Sequence, residues 1–503
     1  MPTIPTPDSK HYQLESDADA TMHVRTARGG IALMISLGFK LALLFVVQIV
    51  LARLLTPEDF GLVALVTSVI TFFSLFNDLG LPMATVQRRD LNHEQVNLLF
   101  WINTIWGVGL ALFTAATAQL FARLYGEPRV VSIMLVLSTG FLFIGLGSQH
   151  RALLKRRLQF SRLAIVDFVS VLAGAVVAIA LARLGFRYWA LIYMRLTTLA
   201  LATLGLLLAC GWRPSRPKLA GQIRPLLAFG IHLTSFDVMA YLIRNADNLL
   251  IGWYNGARAL GFYSKAYQML LVTTQQFNMP LGGVVIPALS RLQTEPGRYG
   301  AYYHRGILLS AAVGMPLVAF LFVGADWIVP LLLGAQWQPS IALFRALALA
   351  AFVGPLEVGS GWLVVSLGRT RRQFKWNVMS TALTLVGFII GIRWGSVGVA
   401  LSFSLCRVVL LIPKLIYSAY GSPISWLEMS KTASRPALAS LFSAAGLFGI
   451  SSYVAFLPHG SMRLVVSFCL FGLMYIGVWL GLPGGRQSLL QLFRLVRYLW
   501  RQE

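Results

Sequence analysis

The chain has 503 residues, 57% of them hydrophobic and only 12% charged, where a soluble protein carries about a quarter charged residues. Apolar runs recur from Gly30 almost to the end, each long enough to cross a hydrocarbon core of about 30 Å, so a string of soluble domains is excluded. The net charge of +24 sits in short connectors between those runs rather than in a compact basic domain with interleaved aromatics; it reads as a topology signal, and no nucleic-acid partner is expected.

Residues 1–28 form a polar arm containing Asp8, Glu15, Asp17 and Asp19, with no short apolar stretch and cleavage site before the first span, which is therefore expected to remain as an anchor. Six spans follow, at about 29–54, 58–84, 96–122, 129–149, 163–183 and 187–210. A polar break from Gly211 to Lys218 opens a linker over 211–225. Six more spans lie at about 226–254, 259–286, 305–325, 338–366, 376–393 and 396–419, then an additional pair near 434–457 and 462–483. All are read as helices, because lipid offers backbone groups no other partner. The tail, 484–503, places Arg494, Arg497 and Arg501 on one helical face with apolar residues around the rest, which suits a helix lying on an anionic leaflet.

The chain repeats itself. Shifted by 200 positions, Gly30-Ile31 falls on Gly230-Ile231, and the segment from Leu55 to Gly61 falls on Asn255 to Gly261. Arg156-Arg157-Leu158-Gln159-Phe160 similarly matches Arg371-Arg372-Gln373-Phe374. The expected fold is thus an all-α polytopic membrane protein of about 14 transmembrane helices. It comprises two pseudo-symmetric six-helix lobes, 29–210 and 226–419, plus the helix pair of 420–483. Membrane proteins built from two such halves are transporters whose working site lies between them.

Connectors can be counted for charge, residues at a span's edge going with the adjacent connector. The arm, the even-numbered connectors and the tail hold 27 Lys and Arg, the odd connectors 8, and the spans 7. The richer side is expected to be cytoplasmic, with both termini. Its densest clusters are Arg151, Lys155, Arg156 and Arg157 in the first half and Arg371 and Arg372 in the second, a cytoplasmic basic surface that anchors to lipid or meets substrate phosphates. No outer connector is long enough for a folded domain.

No phosphate-binding loop, His-Glu-x-x-His or Gly-x-Ser-x-Gly is present, and Cys210, Cys406 and Cys469 form no pair suggesting a disulfide or metal site. No enzyme activity and no bound cofactor is expected. The chemical signal lies in ionisable residues within spans, where charge costs at least roughly 2.5–3.5 kcal/mol unless it faces water or a partner. Lys40 lies in the first span, Arg244 in its repeat partner and Lys265 in span eight; three such cations fit a cavity for an anionic ligand. Asp247, three residues after Arg244, is an alternative partner for it. Asp78, Asp247 and Glu357 are candidates for H⁺ or Na⁺ coupling or for charge pairing, Glu357 standing beside a kink predicted at Gly354-Pro355.

Several segments carry a resemblance: Leu51 to Gly61, Asn77-Asp78-Leu79-Gly80-Leu81, Arg157-Leu158-Gln159-Phe160, Asn245 to Gly252, and Gly261-Phe262-Tyr263-Ser264-Lys265-Ala266-Tyr267. In order and spacing they resemble the multidrug/oligosaccharidyl-lipid/polysaccharide exporter superfamily, and within it the Wzx-type polysaccharide flippases. The resemblance implies flipping of undecaprenyl-pyrophosphate-linked oligosaccharide repeat units from the cytoplasmic to the periplasmic leaflet of a bacterial inner membrane by alternating access. The units would serve exopolysaccharide or lipopolysaccharide O-antigen assembly. It implies Lys40, Arg244 and Lys265 as pyrophosphate ligands, a cleft lined by spans one, two, seven and eight, and an outer gate at Thr56–Phe60 and Gly256–Leu260. Membrane lipids, a polysaccharide polymerase and export machinery are the implied partners, and a monomer is expected because one chain holds both halves. The alternatives are a peptidoglycan-precursor flippase and a multidrug or cation antiporter of the same superfamily.

Overall fold

A computed structural model of the chain describes residues 38–77, 81–87, 92–216, 224–450 and 461–490. The N-terminal arm, Asp78, the second part of the linker and the basic face of the tail lie outside the described residues. Among those described, regular structure is helical throughout. Two compact units are present, Met1–Gly261 and Phe262–Glu503.

The first unit holds α1 (38–54), α2 (Pro57–Ser74), α3 (Leu81–Gln87), α4 (His93–Tyr125), α5 (Arg129–Ser138), α6 (Gly140–Arg156), α7 (Phe160–Arg183) and α8 (Trp189–Cys210). It also takes most of α9 (Arg224–Tyr267). The helix starts follow local chemistry. Thr56 caps α2, its hydroxyl accepting from the Asp59 N–H while the Asp59 carboxylate accepts from the Thr56 N–H, and Pro57 occupies the first turn, where no amide donor is needed. Asn92 and Gln95 form the same reciprocal box on α4. Span two is interrupted: the helix expected over 58–84 stops at Ser74 and resumes at Leu81. The core of this unit's even-connector end is apolar, with Phe100, Leu153, Leu154, Leu206 and Trp212 all buried.

The division into units falls at Gly261, beyond the linker, because α9 packs on α2. The Tyr241 hydroxyl donates to the Ser68 carbonyl, the Tyr241 ring lies 5.9 Å from that of Phe72, and the Gly252 backbone faces Leu65. The first stretch of the linker is also strapped to this unit. The Trp212 indole donates to His93 Nδ1 (3.2 Å), Asn97 bonds both Ser215 N (2.8 Å) and Arg216 O (3.0 Å), and the Trp101 indole donates to Ser215 O (2.8 Å).

The second unit contains α10 (Thr273–Arg291), α11 (Pro296–Val323), α12 (Ala325–Leu333), α13 (Ser340–Phe352), α14 (Gly354–Ser366), α15 (Thr370–Gly391), α16 (Gly395–Ala419), α17 (Trp426–Gly449) and α18 (Ser461–Gly481). The kink predicted at Gly354-Pro355 is there: α13 ends at Phe352 and α14 restarts with Pro355 in its first turn. The additional helices are part of this unit's core, since Trp479, Tyr475 and Phe471 of α18 bury against Phe320 of α11 and the Tyr475 hydroxyl donates to the Ala312 carbonyl (3.1 Å).

Nine stretches among the described residues are long and apolar enough to cross a membrane, and one of them, Thr370–Ala419, contains two helices. With α1, the first limb of α9 up to Gly256, its second limb continued through α10 as one span, and α17, the order is compatible with fourteen spans. The chain is a multi-pass membrane protein.

Candidate functional site

The repeated connectors meet in the first unit. Gly256, with φ +78° and ψ 178°, breaks the helical path of α9 at the position where the sequence predicts a connector; an L side chain is strained in that conformation. Beyond the break, the start of the second limb lies across the start of α2, backbone on backbone. A Cβ on Gly61 would stand 1.6 Å from the Ala257 carbonyl oxygen, and one on Gly261 would stand 1.8 Å from the Pro57 carbonyl oxygen. These are the two glycines that the 200-residue repeat superimposes, so the contact is reciprocal: each helix start accepts the other only because neither carries a side chain there.

Charged groups around the crossing are paired. Asp59, 1% exposed, has Arg187 Nε at 3.6 Å. Arg129 bridges Glu58 and Glu127, at 2.7 Å to each. Its hydrogen bonds hold the Glu127 carboxyl below the usual carboxylate range.

The predicted cations fall in different settings. Lys40 is half-buried on α1. The backbone of Arg244 is helical, but its side chain, like Asp78, lies outside the described set. Asp247 is 3% exposed and accepts from the Asn248 N–H at 2.8 Å. Lys265, in the second unit, is only 1% exposed and lies 5.9 Å from the Trp337 ring centroid, so in this conformation it packs against an indole.

Glu357 is the centre of a charge cluster. Its carboxylate accepts from Arg407 Nη1 at 2.6 Å and has Lys414 Nζ at 3.9 Å; the guanidinium also stacks 4.7 Å from the Phe403 ring. Sequence reasoning found Glu357 but passed over Lys414. The signal was available: Arg407 and Lys414 are seven residues apart, two helical turns, and therefore share a face of α16.

The basic clusters divide likewise. Lys155, Arg157 and Arg371 are exposed, as expected of a surface. Arg156 is a correction: it is 7% exposed, and its Nη1 donates to the Thr85 carbonyl at 2.8 Å, because the last turn of α3 leaves carbonyls that need a donor. Arg151 pairs with Asp167 at 2.6 Å. Arg157 and Arg162 cap the end of α8 through the Cys210 and Ala209 carbonyls (3.0 and 3.2 Å). Arg369 and Arg372 cap α16 in the same way, each reaching the Tyr420 carbonyl at 2.7 Å. Among the described residues, no three of His, Cys, Asp and Glu converge on a metal-sized site.

Comparison with known proteins matches residues 50–342 to the family described as "Polysaccharide biosynthesis protein". The chain is 25% identical over 403 residues to the lipopolysaccharide biosynthesis protein WzxC of Escherichia coli K12, covering 77% of this chain and 81% of that one. It is also 25% identical over 447 residues to the succinoglycan biosynthesis transport protein ExoT of Rhizobium meliloti, covering 86% and 88%. Among solved structures, the lipid II flippase MurJ in an inward closed conformation superimposes with a TM-score of 0.69 at 14% identity, covering 89% of this chain and 98% of that one. An inward-facing multidrug resistance MATE transporter gives 0.62 at 15%, covering 78% and 94%. At these identities the structural likeness establishes the fold alone.

Proposed function

Because the chain belongs to the polysaccharide biosynthesis protein family, we propose that it flips undecaprenyl-pyrophosphate-linked oligosaccharide repeat units from the cytoplasmic to the periplasmic leaflet of a bacterial inner membrane. It works by alternating access and catalyses no reaction. The observation that carries this reading is the reciprocal Gly61–Gly261 crossing: related positions of a repeat meet where a transporter's outer gate would close. The even connectors and both termini face the cytoplasm, in line with the Lys and Arg asymmetry. The nature of the cargo is supported by the names of the relatives, a lipopolysaccharide biosynthesis protein and a succinoglycan transport protein.

In the proposed cycle, the diphosphate enters the protein while the polyprenyl tail stays in lipid. Lys40 and Arg244 engage the diphosphate first. Lys265, covered by Trp337 here, engages it once the outer side opens. Separation of the glycine pair is the opening step. Proton or sodium coupling is assigned to the carboxylates Asp78, Asp247 and Glu357, the last of which accepts from Arg407.

The test is a deletion strain carrying wild type, Lys40→Ala, Arg244→Ala, Gly261→Leu or Gly109→Ala, assayed for surface polysaccharide and for lipid-linked repeat units held on the inner leaflet. Gly261→Leu drives a side chain into backbone, and should cut export by about tenfold or more. Gly109 has open space around its Cβ position, and Gly109→Ala should export normally. Normal polysaccharide in the deletion strain would sink the cargo assignment; normal export by Gly261→Leu would sink the gate.

A further inference from the structure

Within the second unit, α14, the first turns of α15 and the last turns of α16 edge a narrow cleft that is open on one side and whose inner end has room for about one water. Arg372, Trp376, Lys414 and Tyr417 line it, with Ser360 opposite. The Trp376 and Tyr417 rings lie 5.5 Å apart and tilted, forming one wall.

The charged residues lining the cleft are both cations, Arg372 and Lys414. Between Pro355 and Tyr420 the only acidic residue is Glu357. Glu357 binds Arg407 at 2.6 Å, leaving Lys414 Nζ at 3.9 Å, beyond hydrogen-bond reach. An ammonium whose side chain is only 17% exposed thus opens on a cleft with its nearest carboxylate too far to accept a hydrogen bond. Such a group is strongly destabilised unless an anion or water completes it.

The depth suits a lipid. Lys414 lies five residues before the end of α16, about 8 Å along the axis, and Arg372 lies in the first turn of α15. This is the headgroup zone, where Trp and Tyr also concentrate.

We propose that this cleft binds the phosphate of an inner-leaflet lipid, with Lys414 and Arg372 as its cationic ligands and Trp376 and Tyr417 against the glycerol and upper acyl chain. The site belongs to one lobe and does not depend on which cargo is flipped. Two lipids offer that phosphate, an anionic phospholipid and the polyprenyl carrier.

The experiment uses the purified full-length chain in detergent, titrated with phosphatidylglycerol, phosphatidylcholine, undecaprenyl pyrophosphate or inorganic phosphate. Bound lipid is read by native mass spectrometry and stability by thermal shift. Phosphatidylglycerol should bind saturably and better than phosphatidylcholine. Lys414→Gln should weaken it by about tenfold, the effect of one charge-assisted hydrogen bond, while Lys414→Arg retains it. Ser360→Leu, which fills the cleft from the opposite wall without touching a charge, should abolish binding even if Lys414→Gln proves unstable. Lys414-dependent binding of undecaprenyl pyrophosphate alone would keep the site and assign its phosphate to the carrier. Equal binding of phosphatidylcholine and phosphatidylglycerol, a response to inorganic phosphate only, or lipid binding unchanged in Lys414→Gln and Ser360→Leu would overturn the proposal. Normal polysaccharide in the deletion strain would remove the cargo reading and leave this site standing.

Discussion

The same corner is built twice in this chain, once filled and once open. In the first unit, the end of α6, the start of α7 and the end of α8 close over Leu153, Leu154, Leu163, Leu206 and Trp212. In the second, the corresponding ends of α14, α15 and α16 surround a cleft edged by Arg372 and Lys414. Both corners use connector arginines to cap the last helix, Arg157 and Arg162 on α8, Arg369 and Arg372 on α16. The comparison teaches that one arginine of each repeated pair, Arg157 and Arg372, caps the last helix of its half. Lys414, which caps no helix end and edges the cleft, is the cation that remains for a ligand.

The largest expected effect tests the filling. Trp212 is 5% exposed and donates to His93, so Trp212→Ala should destabilise the protein by about 3–5 kcal/mol, the range for deleting a buried aromatic. Trp376, 8% exposed but edging the cleft, should fall toward the lower end of that range when changed to Ala. Chemical unfolding of the purified variants measures both; equal losses would erase the distinction between the corners.

Next in size is the charge cluster. Glu357→Gln leaves Arg407 and Lys414 without their counter-charge and should cost on the order of 2 kcal/mol, below the fully buried range because Arg407 is 31% exposed. Combining it with Lys414→Met should restore part of that loss, since one repelling cation is removed; purely additive losses in the double-mutant cycle would mean that the 3.9 Å separation carries no coupling.

Smaller again are the caps. Arg369→Ala frees the Gly421 carbonyl and leaves the Tyr420 carbonyl to Arg372 alone, and should cost about 1 kcal/mol. Arg157→Ala, which frees the Cys210 carbonyl, should cost a similar amount, about 1 kcal/mol, if the two corners share one device. A loss of lipid binding in Arg369→Ala larger than in Lys414→Gln would instead put the ligand on Arg369.

Much of this was legible in the sequence, and the limits have physical causes. The spans, the kink before Glu357 and the connector at Gly256 follow from hydropathy and from Gly and Pro punctuation, which are local properties. The superposition of Gly61 on Gly261 was visible as a repeat; that the two touch was not, because a contact across 200 residues leaves no local mark. Arg156 reads as part of a basic surface from its neighbours, yet it is drawn inward by a carbonyl in the last turn of α3, 71 residues away. Lys414 was missed because a lone Lys in an apolar run carries no pattern until Arg407, two turns earlier, is read with it.

The smallest effect separates capping arginines from paired ones. A carbonyl does not titrate, so the losses from Arg157→Ala and Arg369→Ala should be unchanged with pH through the acid range. Arg129 instead holds two carboxylates, and Glu127 lies below its ordinary value near 4.5 because of that contact. A group whose folded value is depressed contributes stability above its unfolded value and loses it as pH falls through the folded one. Arg129→Ala should therefore cost at most about 1 kcal/mol at neutral pH, these side chains being partly exposed. That cost should shrink as pH is lowered below about 4.5, as the wild type loses what the variant already lacks. Unfolding midpoints of the three variants across that range measure it. A pH-independent loss in Arg129→Ala would show that Arg129 acts there by packing rather than by charge.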